Sequence, residues 1–230
     1  MILIVSLARP EEHDRASSFG ELKRKFEAMT RAPALVQHYT EISPERVAGL
    51  PVRAIFITGS SCPWPEVDPR GFDGLYDLAT TTTIPTHGAC AGHQLLGFFF
   101  NATDWRAIHS LPDEFMRALA PGEVDVRMGK SYEGWFAEDG AYTVQILQPD
   151  PIFAGFEGSL VVREAHVCEV KRLPTGWLHL ARTDTCAIQA MRHPGRPIYG
   201  TQFHPEAWSE HYPDGQRFMA NFFRIAGLIE

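Results

Sequence analysis

The sequence has few of the residues that build small extracellular scaffolds or metal clusters. It holds only four cysteines in 230 residues, and no two have Cys-x-x-Cys spacing. A disulfide framework or a zinc site is therefore not expected, and we predict neither a metal nor a cofactor. This cysteine usage suits a reducing compartment, so we expect a cytoplasmic protein. The four are Cys62, Cys90, Cys168 and Cys186.

Basic runs and long apolar stretches are also absent. The formal net charge is −7, which argues against a nucleic-acid partner. No stretch approaches the roughly 20 apolar residues that cross a membrane. The segment Met1–Asp14 has a short apolar run without a basic leader, which favours a buried first strand over a signal peptide. We expect one domain over residues 1–230, with an insertion near residues 101–130.

Short apolar runs alternate with helical patterns in the first half of the chain. Ile2–Leu7 is continuously apolar, as is typical of a strand buried on both faces. Strands separated by helices indicate an α/β fold, with a mostly parallel central sheet and flanking helices. The second half changes to short predicted strands, among them Val124–Met128. It closes with an amphipathic helix, Asp214–Ile225, in which Asp214 is the candidate N-cap.

One cysteine stands between two glycines, in the segment Gly88-Ala89-Cys90-Ala91-Gly92. A predicted strand precedes it and a predicted helix follows, which is the arrangement of a nucleophile elbow. Such a sharp turn leaves no room for side chains larger than glycine at positions 88 and 92. The positive end of the helix dipole would favour the reactive thiolate. The alternative is a small buried cysteine in a glycine-rich turn.

A histidine and a glutamate two positions apart follow the last predicted strand, in GTQFHPE. A thiol nucleophile needs a base, and the base needs an orienting carboxylate. His204 and Glu206 can supply both from one loop, and Pro205 fixes the backbone so that the two side chains can face each other. Taken alone, the pair could equally be a surface histidine and glutamate. Together with the elbow, it predicts a Cys-His-Glu triad.

The order Cys…His-x-Glu resembles that of the class I glutamine amidotransferases. The specific matches are GACAGHQLLG around Cys90 and YGTQFHPE around Glu206, and the resemblance extends from about Ala54 to the end, less clearly across residues 102–122. It implies a flavodoxin-like glutaminase fold and hydrolysis of the glutamine side-chain amide. Cys90 would form a γ-glutamyl thioester and release ammonia, His204 would act as base and then acid, and Glu206 would orient it.

The same resemblance implies an oxyanion hole made of two backbone N–H groups. One comes from Ala91, directly after the nucleophile. The other comes from a loop that is Gly-Gly-Pro in the family and Thr58-Gly59-Ser60-Ser61 here, so Ser60 replaces the second glycine. Ser60 can still donate its N–H, but serine resists the positive φ that glycine accepts. If the active conformation needs positive φ, the hole would form only with a partner or a substrate.

Three further residues are expected to contact the substrate. The resemblance implies that Gln94, one helical turn beyond Cys90, holds the amino-acid end of the substrate, although it could simply cap the elbow. Gly59 belongs to the oxyanion loop. His166 lies in EAHVCEV, where the family tends to Ser-His-x-Asp-x-Val, so Ala165 and Cys168 depart from the pattern. That departure leaves a packing role open for His166.

Three functions follow from these patterns. The leading one is a glutaminase that supplies ammonia to a separate synthase chain, since the chain has room for one domain only. The second is a γ-glutamyl hydrolase or peptidase that uses the same triad and needs no partner. The third is an inactive binding module, against which the intact triad argues. The expected substrates are therefore glutamine or a γ-glutamyl compound, with no nucleic acid and no membrane involved.

Overall fold

The computed structural model describes residues 1–15, 17–126 and 132–230, and within these ranges nine strands form one sheet. The strands are β1 (Ile2–Ser6), β2 (Ala34–His38), β3 (Ala54–Ile57), β4 (Thr86–Ala89), β5 (Glu138–Ile146), β6 (Ser159–His166), β7 (Leu178–Arg182), β8 (Ala190–Arg192) and β9 (Ile198–Thr201). Their order is β2-β1-β3-β4-β9-β8-β7-β5-β6. The first five in this order are parallel, and the other four continue from β9 in antiparallel pairing.

Helices cover both faces of the sheet, which confirms the predicted α/β fold. They are α1 (Pro10–His13), α2 (Ser17–Thr30), α3 (Pro44–Ala48), α4 (Asp73–Thr81), α5 (Ala91–Asn101) and α6 (Asp214–Ile225). Strand β1 explains the layering, because all five of its residues are buried and successive side chains point to opposite faces. Ile2 and Ile4 join a core with α2 and α6, whereas Leu3 and Val5 join a core with α3, α4 and α5. Among the described helices, none has the length and apolar character to cross a bilayer.

The predicted strand Val124–Met128 is wrong for the part that the structure describes. Residues 123–125 form no strand, Val124 is 79% exposed, and residues 127 and 128 lie outside the described ranges. No strand among the described residues pairs with Val124 or Val126, and alternation without a partner strand does not form sheet. Of the expected insertion, residues 127–130 are likewise outside the described ranges. The rest is mostly irregular and includes a short 3₁₀ turn, Trp105–Ala107.

The predicted N-cap of the last helix is also wrong, although its boundaries are confirmed. Helix α6 begins at Asp214, and Pro213 occupies the N-cap position. The Asp214 carboxylate instead accepts a hydrogen bond from the Val161 N–H of β6, at 2.7 Å. Asp214 therefore accepts from a strand N–H and not from an N–H in the first turn of its own helix, and this hydrogen bond fixes α6 against the sheet.

Candidate active site

Three loops meet where the parallel strands β3, β4 and β9 end. Strands β4 and β9 are neighbours, with Ala89 opposite Thr201. The Cys90 N–H donates to the Thr201 carbonyl at 2.8 Å, which joins the loop after β4 to the one after β9. The carboxyl edge of a parallel sheet is the usual place for a binding site, because the loops there converge.

The backbone at Cys90 has the sharp turn that the sequence predicts. Cys90 has φ 52° and ψ −109°, and helix α5 begins at the next residue. A non-glycine residue held there costs on the order of 1–3 kcal/mol. A Cβ on Gly88 would lie 2.6 Å from the Gly92 carbonyl oxygen, and one on Gly92 would lie 2.6 Å from the Ile57 carbonyl oxygen. The need for glycine on both sides of the cysteine is thereby confirmed.

The cysteine, histidine and glutamate of the two motifs lie together. His204 Nδ1 is 2.7 Å from Glu206 Oε1, across the 3₁₀ turn that Pro205 begins. The His204 ring and the Cys90 side chain both lie beside Gly59, and each favours the charged form of the other. Since Nδ1 faces the carboxylate, Nε2 is the nitrogen left for the thiol. The main-chain N–H of His204 donates to the Arg163 carbonyl of β6 at 2.9 Å, which fixes His204 to the antiparallel half of the sheet.

The charges of this trio support one another. Burial alone would raise the pKa of the Cys90 thiol, but the charge and hydrogen bond of His204 outweigh burial and lower that pKa below its usual value. Burial would likewise lower the pKa of His204, yet the Glu206 carboxylate and the Cys90 thiolate raise it well above its usual value. The arrangement therefore favours a thiolate–imidazolium pair, which is the reactive state of a nucleophilic cysteine.

The loop after β3 contacts this trio through its glycine. A Cβ on Gly59 would lie 2.9 Å from His204 Cε1 and 3.4 Å from Cys90 Cβ, so only glycine lets the backbone approach so closely. Ser60 does not have positive φ, and its hydroxyl oxygen accepts the Cys62 N–H at 3.1 Å. The left-handed conformation considered for Ser60 is thus not the one adopted. Ala91 is buried as the first residue of α5.

Gln94 is buried, and its amide group binds other protein groups. Its Nε2 donates to the Cys168 carbonyl at 3.0 Å and to Gln202 Oε1 at 3.2 Å. Its Oε1 accepts the indole N–H of Trp64 at 2.7 Å. Both amide hydrogens are therefore used, whereas Oε1 keeps a second acceptor position. A direct substrate contact at Gln94 would use that carbonyl oxygen.

His166 lies at the end of β6 in a buried polar cluster. Its Nε2 is 2.9 Å from Glu138 Oε2 and 3.3 Å from Glu164 Oε2, while its Nδ1 is 2.9 Å from the Cys168 carbonyl oxygen. The side chains of His166, Glu138 and Glu164 are at most 1% exposed. Burial works against the charged imidazole, but the two carboxyl groups raise the pKa of His166 to about 10.

Cys186 extends this cluster into a set of donors that resembles a metal site. Ligand atoms of Glu138, His166 and Cys186 lie within 4.8 Å of one another, and all three residues are buried. The Glu138 oxygens, however, already accept hydrogen bonds from Thr183, Thr185 and Gln189 besides facing His166. The carboxylate is therefore satisfied by protein donors, so this donor set does not require an ion.

A cavity of about 1190 Å³ opens above the trio and extends to helix α2. Its lining includes every site residue predicted from the sequence. These are Gly59, Ser60, Cys90, Ala91, Gln94, His166, His204 and Glu206.

Sequence reasoning missed the far wall of the cavity, which helix α2 supplies. Phe19, Leu22 and Lys25 line it together with Trp208. Lys25 Nζ lies 3.4 Å from the Glu206 carbonyl oxygen, 3.3 Å from that of Trp208, and 4.8 Å above the Trp208 ring. It thus binds the turn that carries Glu206. Nothing in the helical pattern distinguishes this lysine from its neighbours, so only its tertiary contacts identify it.

The family model for class-I glutamine amidotransferases matches residues 23–226. Among curated proteins, a glutamine-hydrolyzing GMP synthase chain of Methanosarcina mazei is 35% identical over 164 residues, which are 71% of this chain and 70% of that protein. The protein of the same name from Thermococcus kodakarensis is 31% identical over 187 residues, or 80% of this chain and 81% of that one.

A solved structure shares the fold. The glutaminase domain of Trypanosoma brucei CTPS, crystallised with bound acivicin, superposes with a TM-score of 0.66 at 20% identity. The match covers 97% of this chain and 93% of that one. At this level of identity the likeness concerns the arrangement of the sheet and helices only.

Proposed function

We propose that this chain, which belongs to the class I glutamine amidotransferases, hydrolyses glutamine through Cys90. The ammonia then passes to a separate synthase chain. The observation that carries the proposal is that Cys90 and His204 lie together beside Gly59 in the lining of one cavity, with His204 Nδ1 2.7 Å from Glu206 Oε1. The relatives named as glutamine-hydrolyzing chains of GMP synthase make the synthase that forms GMP the first acceptor to test.

The proposed reaction has two halves, each with a tetrahedral oxyanion. The Cys90 thiolate attacks the side-chain amide carbon, the C–N bond breaks, and His204 gives its proton to the departing ammonia. Water then attacks the thioester carbon while His204 takes its proton, and the C–S bond breaks to return the thiolate and release glutamate. Glu206 keeps the imidazole oriented and stabilises its charge. The N–H groups of Ala91 and Ser60 are the proposed donors to the oxyanion.

A γ-glutamyl hydrolase is the second candidate, and the size of the cavity favours keeping it. A volume of about 1190 Å³ far exceeds what one glutamine fills, and Phe19, Leu22 and Trp208 give its far wall an apolar part. A γ-linked extension could lie along that wall while the same trio attacks the γ-amide. Residues 1–230 as one domain and a cytoplasmic location remain our predictions.

The deciding experiment compares substrates on the purified chain, first by itself and then with the synthase chain of GMP synthase. We expect ammonia release from glutamine that increases when the synthase chain is added, and little release of amine from γ-glutamyl peptides. Cys90→Ala serves as the blank. Faster turnover of γ-glutamyl peptides than of glutamine, with no effect of the synthase chain, would instead support the hydrolase.

Replacing Ser60 by glycine is expected to raise the kcat of the free chain. Glycine removes the hydroxyl that accepts the Cys62 N–H and permits positive φ, so the second oxyanion donor can turn inward at less cost. One such donor is worth roughly a hundred- to a thousandfold in rate, which is the upper bound of the gain. The measurement is kcat for ammonia release without a partner, with Ser61→Gly as the matched control. An equal or lower kcat would mean that the hole already forms with serine in place.

A further inference from the structure

The polar cluster behind the cavity contains a carboxylate that no sequence motif identifies. Glu138 is the first residue of β5, and its side chain is fully buried. Its oxygens receive the hydroxyl of Thr183 at 2.6 Å, the amide N–H of Gln189 at 2.6 Å and the hydroxyl of Thr185. Three neutral donors around one carboxylate favour its charged form. Glu138 is therefore a buried anion that faces His166.

The geometry also fixes the charge of His166. Its Nδ1 faces the Cys168 carbonyl oxygen at 2.9 Å, and a carbonyl can only accept, so Nδ1 carries a hydrogen. Its Nε2 faces the Glu138 carboxylate at 2.9 Å, and that oxygen also accepts. Both ring nitrogens therefore carry hydrogens, and His166 is an imidazolium. It is the buried cation that balances Glu138.

The second carboxyl group of the cluster, that of Glu164, differs from Glu138 in its hydrogen bonding. Glu164 Oε2 lies 3.3 Å from His166 Nε2, but neither oxygen of Glu164 has a hydrogen bond among the described residues. Burial raises the pKa of Glu164. Glu138, which receives three hydrogen bonds from neutral donors, is therefore the principal counter-ion of His166 in this buried cluster.

The Cys168 carbonyl connects the cluster to the cavity. It accepts from His166 Nδ1 at 2.9 Å and from Gln94 Nε2 at 3.0 Å. Residues 165–168 all line the cavity, opposite Cys90 in the same enclosure. The imidazolium therefore holds the conformation of this wall segment, and its charge is one of the effects that lower the pKa of Cys90.

The structure assigns Glu138 as a positioning residue for the substrate site. It keeps His166 charged, and the charged ring keeps the wall segment 165–168 in place through the Cys168 carbonyl. This inference rests on the proposed function, because the wall is taken to contact the substrate of Cys90. Without the anion, a buried imidazolium loses its proton, so it can donate only one hydrogen bond and that bond is no longer charge-assisted.

The test compares Glu138→Gln with Glu164→Gln, two isosteric changes in one cluster. We expect Glu138→Gln to raise the KM for glutamine about tenfold with a smaller change in kcat, since one charge-assisted hydrogen bond of the wall is lost. Glu164→Gln should leave KM within about twofold, because Glu164 lies 3.3 Å from the ring and makes none of the hydrogen bonds that hold Glu138 and the wall segment. Thermal unfolding of both variants checks their fold, and a merely misfolded fraction would lower kcat at unchanged KM.

A second readout does not depend on glutamine hydrolysis. In the chain labelled with ¹⁵N-histidine, both nitrogens of His166 should remain protonated from about pH 6 to about pH 9, and Glu138→Gln should abolish this. If wild type releases no ammonia but shows this signature, the proposed function fails while the charge assignment stands. Titratable groups facing the ring are Glu138, Glu164, Cys90, His93 and Cys186.

Three outcomes would overturn the assignment. The first is an unchanged KM in a folded Glu138→Gln variant, and the second is an equal rise in KM with Glu164→Gln. The third is a stoichiometric divalent metal in the purified wild-type chain that Glu138→Gln loses, since the cluster would then be a metal site.

Discussion

Replacing Cys90 by alanine is expected to abolish ammonia release from glutamine while the fold remains intact. In the proposed reaction the thiol is the nucleophile, and without it no thioester can form. Background hydrolysis by water held in the same site should then be lower by several orders of magnitude, as when a triad nucleophile is removed from other hydrolases. The measurement is steady-state ammonia release, with thermal unfolding to confirm that the variant is folded.

Covalent labelling provides the positive counterpart. A glutamine-like electrophile should modify Cys90 alone, because burial raises the pKa of the thiols of Cys62, Cys168 and Cys186, whereas His204 lowers that of Cys90. Labelling should also persist well below the usual thiol pKa of roughly 8.5 and decline only when acid protonates the thiolate. Cys62 lines the same cavity, so label found there by mass spectrometry would contradict the assignment.

The histidine change is expected to have the second largest effect. His204→Ala removes both the base that maintains the Cys90 thiolate and the acid that protonates ammonia, so kcat should decrease by at least about 10³-fold. The raised pKa of His204 sets the basic limit of activity, because deprotonation above that pKa removes the proton that ammonia needs. The pH profile of kcat should therefore extend to alkaline pH before it declines.

Glu206→Gln is expected to have a smaller effect than His204→Ala. The amide keeps a hydrogen-bonding oxygen near His204 Nδ1 but loses the charge, so the basic limit of the profile should shift to lower pH and kcat should decrease less than in His204→Ala. Glu210→Gln, an exposed glutamate four residues further on, is the control. A Glu206→Gln variant with wild-type kcat and an unchanged profile would mean that another group orients the histidine.

Much of this architecture was predictable because its signals are local. The elbow is a motif of five consecutive residues. Glycine is needed two positions before and two positions after Cys90 for steric reasons, which the Cβ distances confirm. The His-x-Glu pair needs only one proline between its members. The parallel strands are visible as apolar runs because both of their faces are buried.

The remainder depends on contacts between residues distant in the chain. Glu138 and His166 are 28 positions apart, and Lys25 meets Glu206 across 181. The residues that flank a buried carboxylate or a helical lysine in the sequence do not indicate which distant residue it will contact. The failed strand at Val124 illustrates the converse, since alternation needs a neighbouring strand before it becomes sheet.

The left-handed backbone conformation of Cys90 implies that conformational stability and catalytic activity place opposite demands on this position. Glycine would occupy φ 52° without the strain that a side chain meets there, so Cys90→Gly relieves the backbone strain and removes the proposed nucleophile in one step. A laboratory selection for thermal stability alone would therefore favour the Cys90→Gly variant, which we expect to be inactive. Selection for stability in this protein therefore has to be coupled to a screen for turnover, because the proposed nucleophile is one of two described non-glycine residues with positive φ.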